Sequence, residues 1–230
     1  MKALEIGGKK RLSVVEVPMP ESDGEKVIIR VKTSGICGSD IHMWEKGKPK
    51  GLIPGHEFSG TVEDAGPRDD LNPGDRVTVI PLNPCGDCSC CRNSGYHTCK
   101  YGFKRGIPGV TAPGSYAEYF KARPDMVRKL PDTVSDVEAA MIEPAAVARH
   151  AVNLANIKAG DKVLIVGGGV IGLACAVWAR IYGASFVGMS EANESRGAKA
   201  LELGDIHAMF DAKDPELTST MKKTAKGLFD

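Results

Sequence analysis

The chain has 230 residues, 42% of them hydrophobic and 26% charged, with a formal net charge of +1. That is globular composition, long enough for two domains or one large one. It excludes a global field that would draw in nucleic acid or acidic lipid, so neither is expected as a partner.

The opening MKALEIGGKKRL has no apolar run of the kind a secretory leader needs. Seven cysteines without such a leader predict a reducing, cytoplasmic setting and metal chemistry. Roughly the first 130 residues predict short strands broken by Gly and Pro. Lys26 to Val31 and Arg76 to Ile80 are strand candidates, and Pro73-Gly74-Asp75 is a turn into the second. From Ser135 the pattern becomes helical. Ser135 and Glu138 read as a capping box for a helix that runs through Met141 to Ala155. A turn from Asn156 to Asp161 precedes a strand from Lys162 to Val166. An apolar helix then reaches about Tyr182, followed by a strand at Ser185 to Met189. Glu194 to Leu203 predicts a helix closed by Gly204, His207 to Asp211 a strand, and Pro215 to Lys226 a last helix. The apolar run from Val163 to Ala179 approaches membrane-span length, but its three consecutive glycines suit a strand–turn–helix unit better than a bilayer.

Three groups of residues carry chemistry. Cys85, Cys88, Cys91 and Cys99 have the spacing of a closed, tetrahedral structural zinc site, and Cys90 breaks that spacing. Gly167-Gly168-Gly169-Val170-Ile171-Gly172 sits between a predicted strand and helix, as a dinucleotide fingerprint requires. Gly167 permits the tight turn, Gly169 lets the backbone approach a pyrophosphate, and Gly172 lets helix and strand pack closely. Glu191, nineteen positions beyond Gly172, is placed to accept bonds from ribose hydroxyls and to repel a 2′-phosphate, which favours NAD over NADP. Arg196 nearby weakens that preference. The third group is Cys37 with His56-Glu57, the thiolate, imidazole and carboxylate of an open catalytic zinc site. Glu143 adds a carboxylate where the helix leads toward the nucleotide unit.

With these motifs the chain resembles the zinc-dependent medium-chain alcohol and polyol dehydrogenases, in their sorbitol dehydrogenase-like branch. The resemblance rests on Gly35-Ile36-Cys37-Gly38-Ser39-Asp40, Gly55-His56-Glu57-Phe58-Ser59-Gly60, Pro73-Gly74-Asp75-Arg76-Val77, the four-cysteine lobe, Glu143-Pro144 and the glycine fingerprint. It covers essentially the whole chain. It implies an α/β protein with a β-rich, GroES-like catalytic domain over residues 1–150. A partial Rossmann domain would follow over 151–230. It implies two zinc ions: one catalytic, held by Cys37, His56 and Glu57 with Glu143 binding directly or through a water, and one structural. It implies that Ser39 and His42 relay a proton from the substrate oxygen to solvent, and that Val147 packs near the nicotinamide. The implied activity moves a hydride from a polyol or other secondary alcohol to NAD. Butanediol, threonine and sugar-phosphate dehydrogenases are the alternatives within the class. Met43 stands where sorbitol-type members tend to have an aromatic, with Trp44 beside it, and Arg149 faces either solvent or an anionic substrate group.

A Rossmann sheet has six strands, and the pattern here supplies about three. The resemblance therefore predicts that the second mononucleotide half, and a final stretch returning to the catalytic domain, lie outside these residues. The longer form is expected to be a homodimer or homotetramer. An alternative of another class is a non-catalytic fragment that binds zinc or nucleotide without turnover.

Overall fold

The computed structural model describes residues 1–203 and 205–230, so the predicted stop at Gly204 lies outside the described residues. The chain divides into two units, Met1–Glu143 and Pro144–Asp230. The division falls inside a helix, ahead of the boundary at 150 expected from sequence.

In the first unit, β1 (Lys2–Gly8) and β2 (Arg11–Glu16) form an antiparallel hairpin. β3 (Val27–Ser34) leads into helix α1 (Gly38–Lys46), which the sequence reading did not anticipate. β4 (Phe58–Asp64) and β5 (Arg76–Val79) follow, then two one-turn helices, α2 (Ser89–Arg92) and α3 (Gly102–Arg105). β6 (Tyr119–Ala122) and β7 (Val127–Lys129) complete a five-stranded antiparallel sheet in the order β6-β3-β4-β5-β7. Its core is apolar, with Val27, Ile29, Phe58, Val62, Val77 and Val127 all essentially buried. Phe58 and Phe120 meet edge to face at 4.9 Å, a favourable aromatic geometry.

The register of β3 against β4 positions the chemistry. The last paired residues are Ser34 and Phe58, and the Gly35 amide then donates to the Glu57 carbonyl. In an antiparallel pair, residues leaving one strand lie beside those entering the other. Gly35-Ile36-Cys37 therefore comes to lie beside Gly55-His56-Glu57.

Two helices close this part of the chain, α4 (Asp136–Ala140) and α5 (Ile142–Ala155), where sequence suggested one continuous stretch. The predicted capping box forms in full. The Glu138 amide donates to Ser135 Oγ, and Glu138 Oε2 accepts from the Ser135 amide. Met141 interrupts the helices. The buried Ser59 hydroxyl donates to the Asp136 carbonyl at 2.8 Å and docks α4 on β4.

The second unit alternates strand and helix: β8 (Lys162–Val166), α6 (Val170–Ile181), β9 (Phe186–Glu191), α7 (Glu194–Leu203), β10 (Ala208–Asp211) and α8 (Leu217–Thr224). The strands are parallel in the order β10-β9-β8. Parallel neighbours need crossover connections, which α6 and α7 supply. Ala176, Ala179 and Ala200 on those helices pack with Ile165, Val187 and Met189. Small residues on the helix faces let the helices lie close to the sheet. Among the described residues, no helix is long and apolar enough to cross a membrane.

Candidate active site and metal centres

The four-cysteine lobe is built locally. Cys85 precedes a turn, Cys88 caps α2, Cys91 lies within α2, and Cys99 follows a 3-10 turn. All seven cysteines of the chain are free thiols. Within the lobe, Sγ–Sγ distances are 3.5 Å for Cys88–Cys91 and 3.9 Å for Cys85–Cys91 and Cys88–Cys99. A disulfide requires about 2.05 Å. A tetrahedron of sulfurs at the usual zinc bond of about 2.3 Å has edges of about 3.8 Å. The lobe therefore has the dimensions of a zinc site. Backbone amides hold the thiols of Cys85, Cys88 and Cys99 below their ordinary value, while desolvation pushes Cys91 up to about 12. Four thiolates cannot ionise side by side without a cation, and a zinc ion held here would supply that charge.

The second cluster draws on distant chain positions. One ligand atom each from Cys37, His56 and Glu57 lies within 4.8 Å of the others. His56 and Glu57 are buried, and Cys37 is half-buried at the N-cap of α1. The His56 ring holds the Cys37 thiol below its ordinary value. Burial alone would lower His56, but the Cys37 sulfur and the Asp40 and Glu143 carboxylates outweigh it and raise the ring. Burial also raises the Glu143 carboxyl, with His56 drawing it down and Glu57 pushing it up. Glu143 thus senses the cluster without being one of its three close donors. Two buried polar atoms here, Ser39 Oγ and His56 Nδ1, have no hydrogen-bond partner among the described residues. Unpartnered buried polar atoms beside a sulfur, nitrogen and oxygen donor set are what a site shaped for a cation and its ligand presents. The donor set fits zinc.

The glycine loop lies at the end of β8. Gly167 has φ +103°, a conformation that favours glycine, and its amide donates to the Ser190 carbonyl. A Cβ on Gly172 would overlap the Gly167 carbonyl oxygen, so helix and loop approach closely only because residue 172 is glycine. Gly169 caps α6 with no side-chain bond, leaving the first amides of the helix open to an anion. Glu191 ends β9 with both carboxylate oxygens engaged. One accepts from the Gly168 amide at 2.7 Å and the other from the Asn193 amide at 2.8 Å. These amides, Asn193 first, hold its carboxyl below the usual range, and Arg196 adds to the effect. Glu191 therefore braces the glycine loop itself.

Residues 23–132 match the alcohol dehydrogenase GroES-like domain. A sorbitol dehydrogenase of Bombyx mori is 33% identical over 98% of this chain and 66% of its own length. The structure of galactitol-1-phosphate dehydrogenase from Escherichia coli is 31% identical with a TM-score of 0.88, over 97% of this chain and 66% of that one. The structure of 2R,3R-butanediol dehydrogenase from Bacillus subtilis is 30% identical with a TM-score of 0.86, over 100% of this chain and 68% of that one. The chain belongs to the zinc-dependent medium-chain alcohol and polyol dehydrogenase family. It spans just under two thirds of the length of the Bombyx mori relative.

Other expected site residues of this family member stand as follows. Ser39 is on the first turn of α1, close to the donor cluster in sequence and without a bonding partner. His42, one turn on, is exposed, with Nδ1 3.7 Å from Glu45. Val147, Val170 and Ile171 are exposed apolar side chains. Arg196 is exposed on α7, its amide bonded to Asn193. Arg149 stacks over Trp178 at 5.4 Å and donates to the Tyr182 hydroxyl, so its charge is engaged within the second unit. Trp44 lines an apolar cleft of about 330 Å³ together with Leu4, Ile36, Pro54 and Tyr116.

Two residues of the site escaped the sequence reading as individual participants. Asp40 is buried and accepts from the Cys37 amide at 2.9 Å and, more loosely, from the Gly55 amide at 3.4 Å. Tyr116 reaches it from far along the chain. Asp40 had a signal, because a carboxylate three residues after an N-cap is the second half of a capping box, and the structure forms that box. Tyr116 had none.

Proposed function

We propose that this chain is the metal- and nucleotide-binding part of an oxidoreductase that transfers a hydride from a polyol or other secondary alcohol to NAD. The observation that carries this reading is the convergence of Cys37, His56 and Glu57, three unlike donors, within 4.8 Å. Structural sites favour closed sets such as the four cysteines, whereas three mixed donors leave a position for substrate. In this reading Cys37, His56 and Glu57 hold the catalytic zinc, with Glu143 as a further carboxylate directly or through a water. Cys85, Cys88, Cys91 and Cys99 hold the structural zinc. Zinc at the first site supplies polarisation of an alcohol oxygen, and NAD supplies the hydride acceptor.

The chain's own residues do the rest. Ser39 Oγ, buried and unpartnered, accepts the substrate hydroxyl proton, and exposed His42 on the same helix releases it to water. Gly167, Gly169 and Gly172 form the phosphate cradle at the start of α6, with Val170 and Ile171 on its first turn. Glu191 braces the cradle and places a negative charge where a 2′-phosphate would sit, which supports NAD over NADP, and Arg196 sets how strong that preference is. Val147 contributes apolar surface for the nicotinamide. The protein acts in the cytoplasm, where free thiols persist, as a homodimer or homotetramer in its longer form.

Zinc content per chain, with NADH formation on a panel of polyols, butanediol, threonine and sugar phosphates, tests the proposal. Two zincs and NAD-dependent turnover of one substrate group support it. One zinc, with no turnover by either this chain or its longer form, overturns it.

A further inference from the structure

We infer that Tyr116 is a positioning residue for the three-donor site. Its hydroxyl clamps Asp40, and through Asp40 it fixes the backbone and ring that present Cys37 and His56. The inference rests on the zinc reading above and assigns a role to a residue outside the donor set.

The Tyr116 hydroxyl lies 3.0 Å from Asp40 Oδ2 and 2.9 Å from the Gly35 carbonyl. It has one proton for two acceptors. A buried carboxylate accepts the stronger, charge-assisted bond. The same Oδ2 accepts from the Cys37 amide at 2.9 Å, so two donors fix one edge of the carboxylate. The other edge, Oδ1, then faces the Gly55 amide at 3.4 Å and His56 Nδ1 at 4.0 Å. Asp40 thus touches the chain at Cys37 and beside His56. At Gly35, the residue to which Tyr116 also bonds, a Cβ would come within 2.7 Å of Glu57 Oε2. Cys37 and His56 thus face Asp40 directly, and Glu57 lies against Gly35, whose carbonyl faces the Tyr116 hydroxyl.

The Tyr116 backbone is anchored and one side of its ring is blocked. The Tyr116 amide donates to the Pro54 carbonyl, and its own carbonyl accepts from Leu4. Gly55, at φ +92°, lies against the ring face so closely that a Cβ there would overlap it. The surroundings are cut to hold this side chain in this pose. A phenylalanine would fill the same space yet leave Oδ2 with a single donor and Asp40 free to turn. Partners that orient metal-binding histidines typically set metal affinity ten- to a hundred-fold.

The test compares the unsubstituted chain with Tyr116→Phe, Asp40→Asn and the double variant. The readouts are affinity for the second zinc by chelator competition and the absorption spectrum of the cobalt-substituted site. Retention of the first zinc, bound by the four-cysteine lobe, reports that each variant is folded. Tyr116→Phe is expected to weaken the second zinc roughly ten-fold and to shift the cobalt bands. The double variant is expected to be no weaker than Asp40→Asn alone. Unchanged affinity and spectrum in Tyr116→Phe overturn the inference while leaving the zinc reading intact, as do additive losses in the double variant. A single zinc in the unsubstituted protein overturns both.

Discussion

The four-cysteine lobe and the Cys37–His56–Glu57 cluster are two ways of encoding a candidate metal centre. The lobe takes all its donors from Cys85 to Cys99, places them by two tight turns and one short return, and uses one donor type. The second site takes its donors from two chain segments brought together by the β3–β4 register, and uses three donor types. A local code yields a closed cage whose spacing is visible in the sequence. A register code yields an open, heterogeneous site whose supports come from elsewhere in the sheet. The first is assembled within its own segment; the second depends on a sheet already made.

The contrast can be broken most severely at the lobe. Cys88→Ser is expected to lose one zinc and to destabilise the protein by several kcal/mol, on the scale of structural zinc sites. Elemental analysis with thermal unfolding measures both, and an unaltered midpoint would show that the lobe carries no stability. Gly35→Ala should act on the other centre alone. Its Cβ would press on Glu57 Oε2, so the second zinc should weaken about ten-fold or more while the lobe keeps its metal. Loss of both metals together would mean that the two centres are not independent. Gly172→Ala drives a Cβ into the Gly167 carbonyl and should cost about 1–3 kcal/mol and weaken NAD, with zinc content unchanged. Calorimetric titration with NAD reads it.

The smallest effect is at the α4 cap. Ser135, through its hydroxyl and amide, holds the Glu138 carboxyl below its ordinary value of 4.5. A depressed carboxylate stabilises the fold fully above its unfolded value. That contribution fades as pH falls through the lower folded value. Ser135→Ala should therefore lower the unfolding midpoint slightly at neutral pH and flatten its decline in acid. A parallel pH profile in the variant would remove the cap from the account.

How far the sequence revealed these features follows from the same distinction. The strand Lys162–Val166, the Ser135 cap and the helix Glu194–Leu203 were legible because each is specified by neighbours a few residues apart. Helix α1 was not. Only nine residues long, it follows a strand and carries the catalytic motif, so its polar residues read as site rather than as helix. The break at Met141 has a local signal in Pro144, which has no amide to donate and whose ring would clash with the Ala140 carbonyl in a continuous helix, so it belongs in the first turn of a new one; docking of α4 through Ser59 operates from another part of the chain. The three donors were legible as residue types, but their meeting depends on Ser34 pairing with Phe58. Tyr116 lies 76 residues from Asp40, a separation across which no local pattern carries information.

The Gly35–Glu57 backbone bond closes everything between those residues into a loop anchored at its base. Donor spacing is set at that base and not by the length of the loop. The segment between Lys46 and Ile53 is itself tied to β1, with the Gly51 amide donating to the Ile6 carbonyl and the Ile6 amide to the Leu52 carbonyl, so the loop is held on its far side as well as at its base.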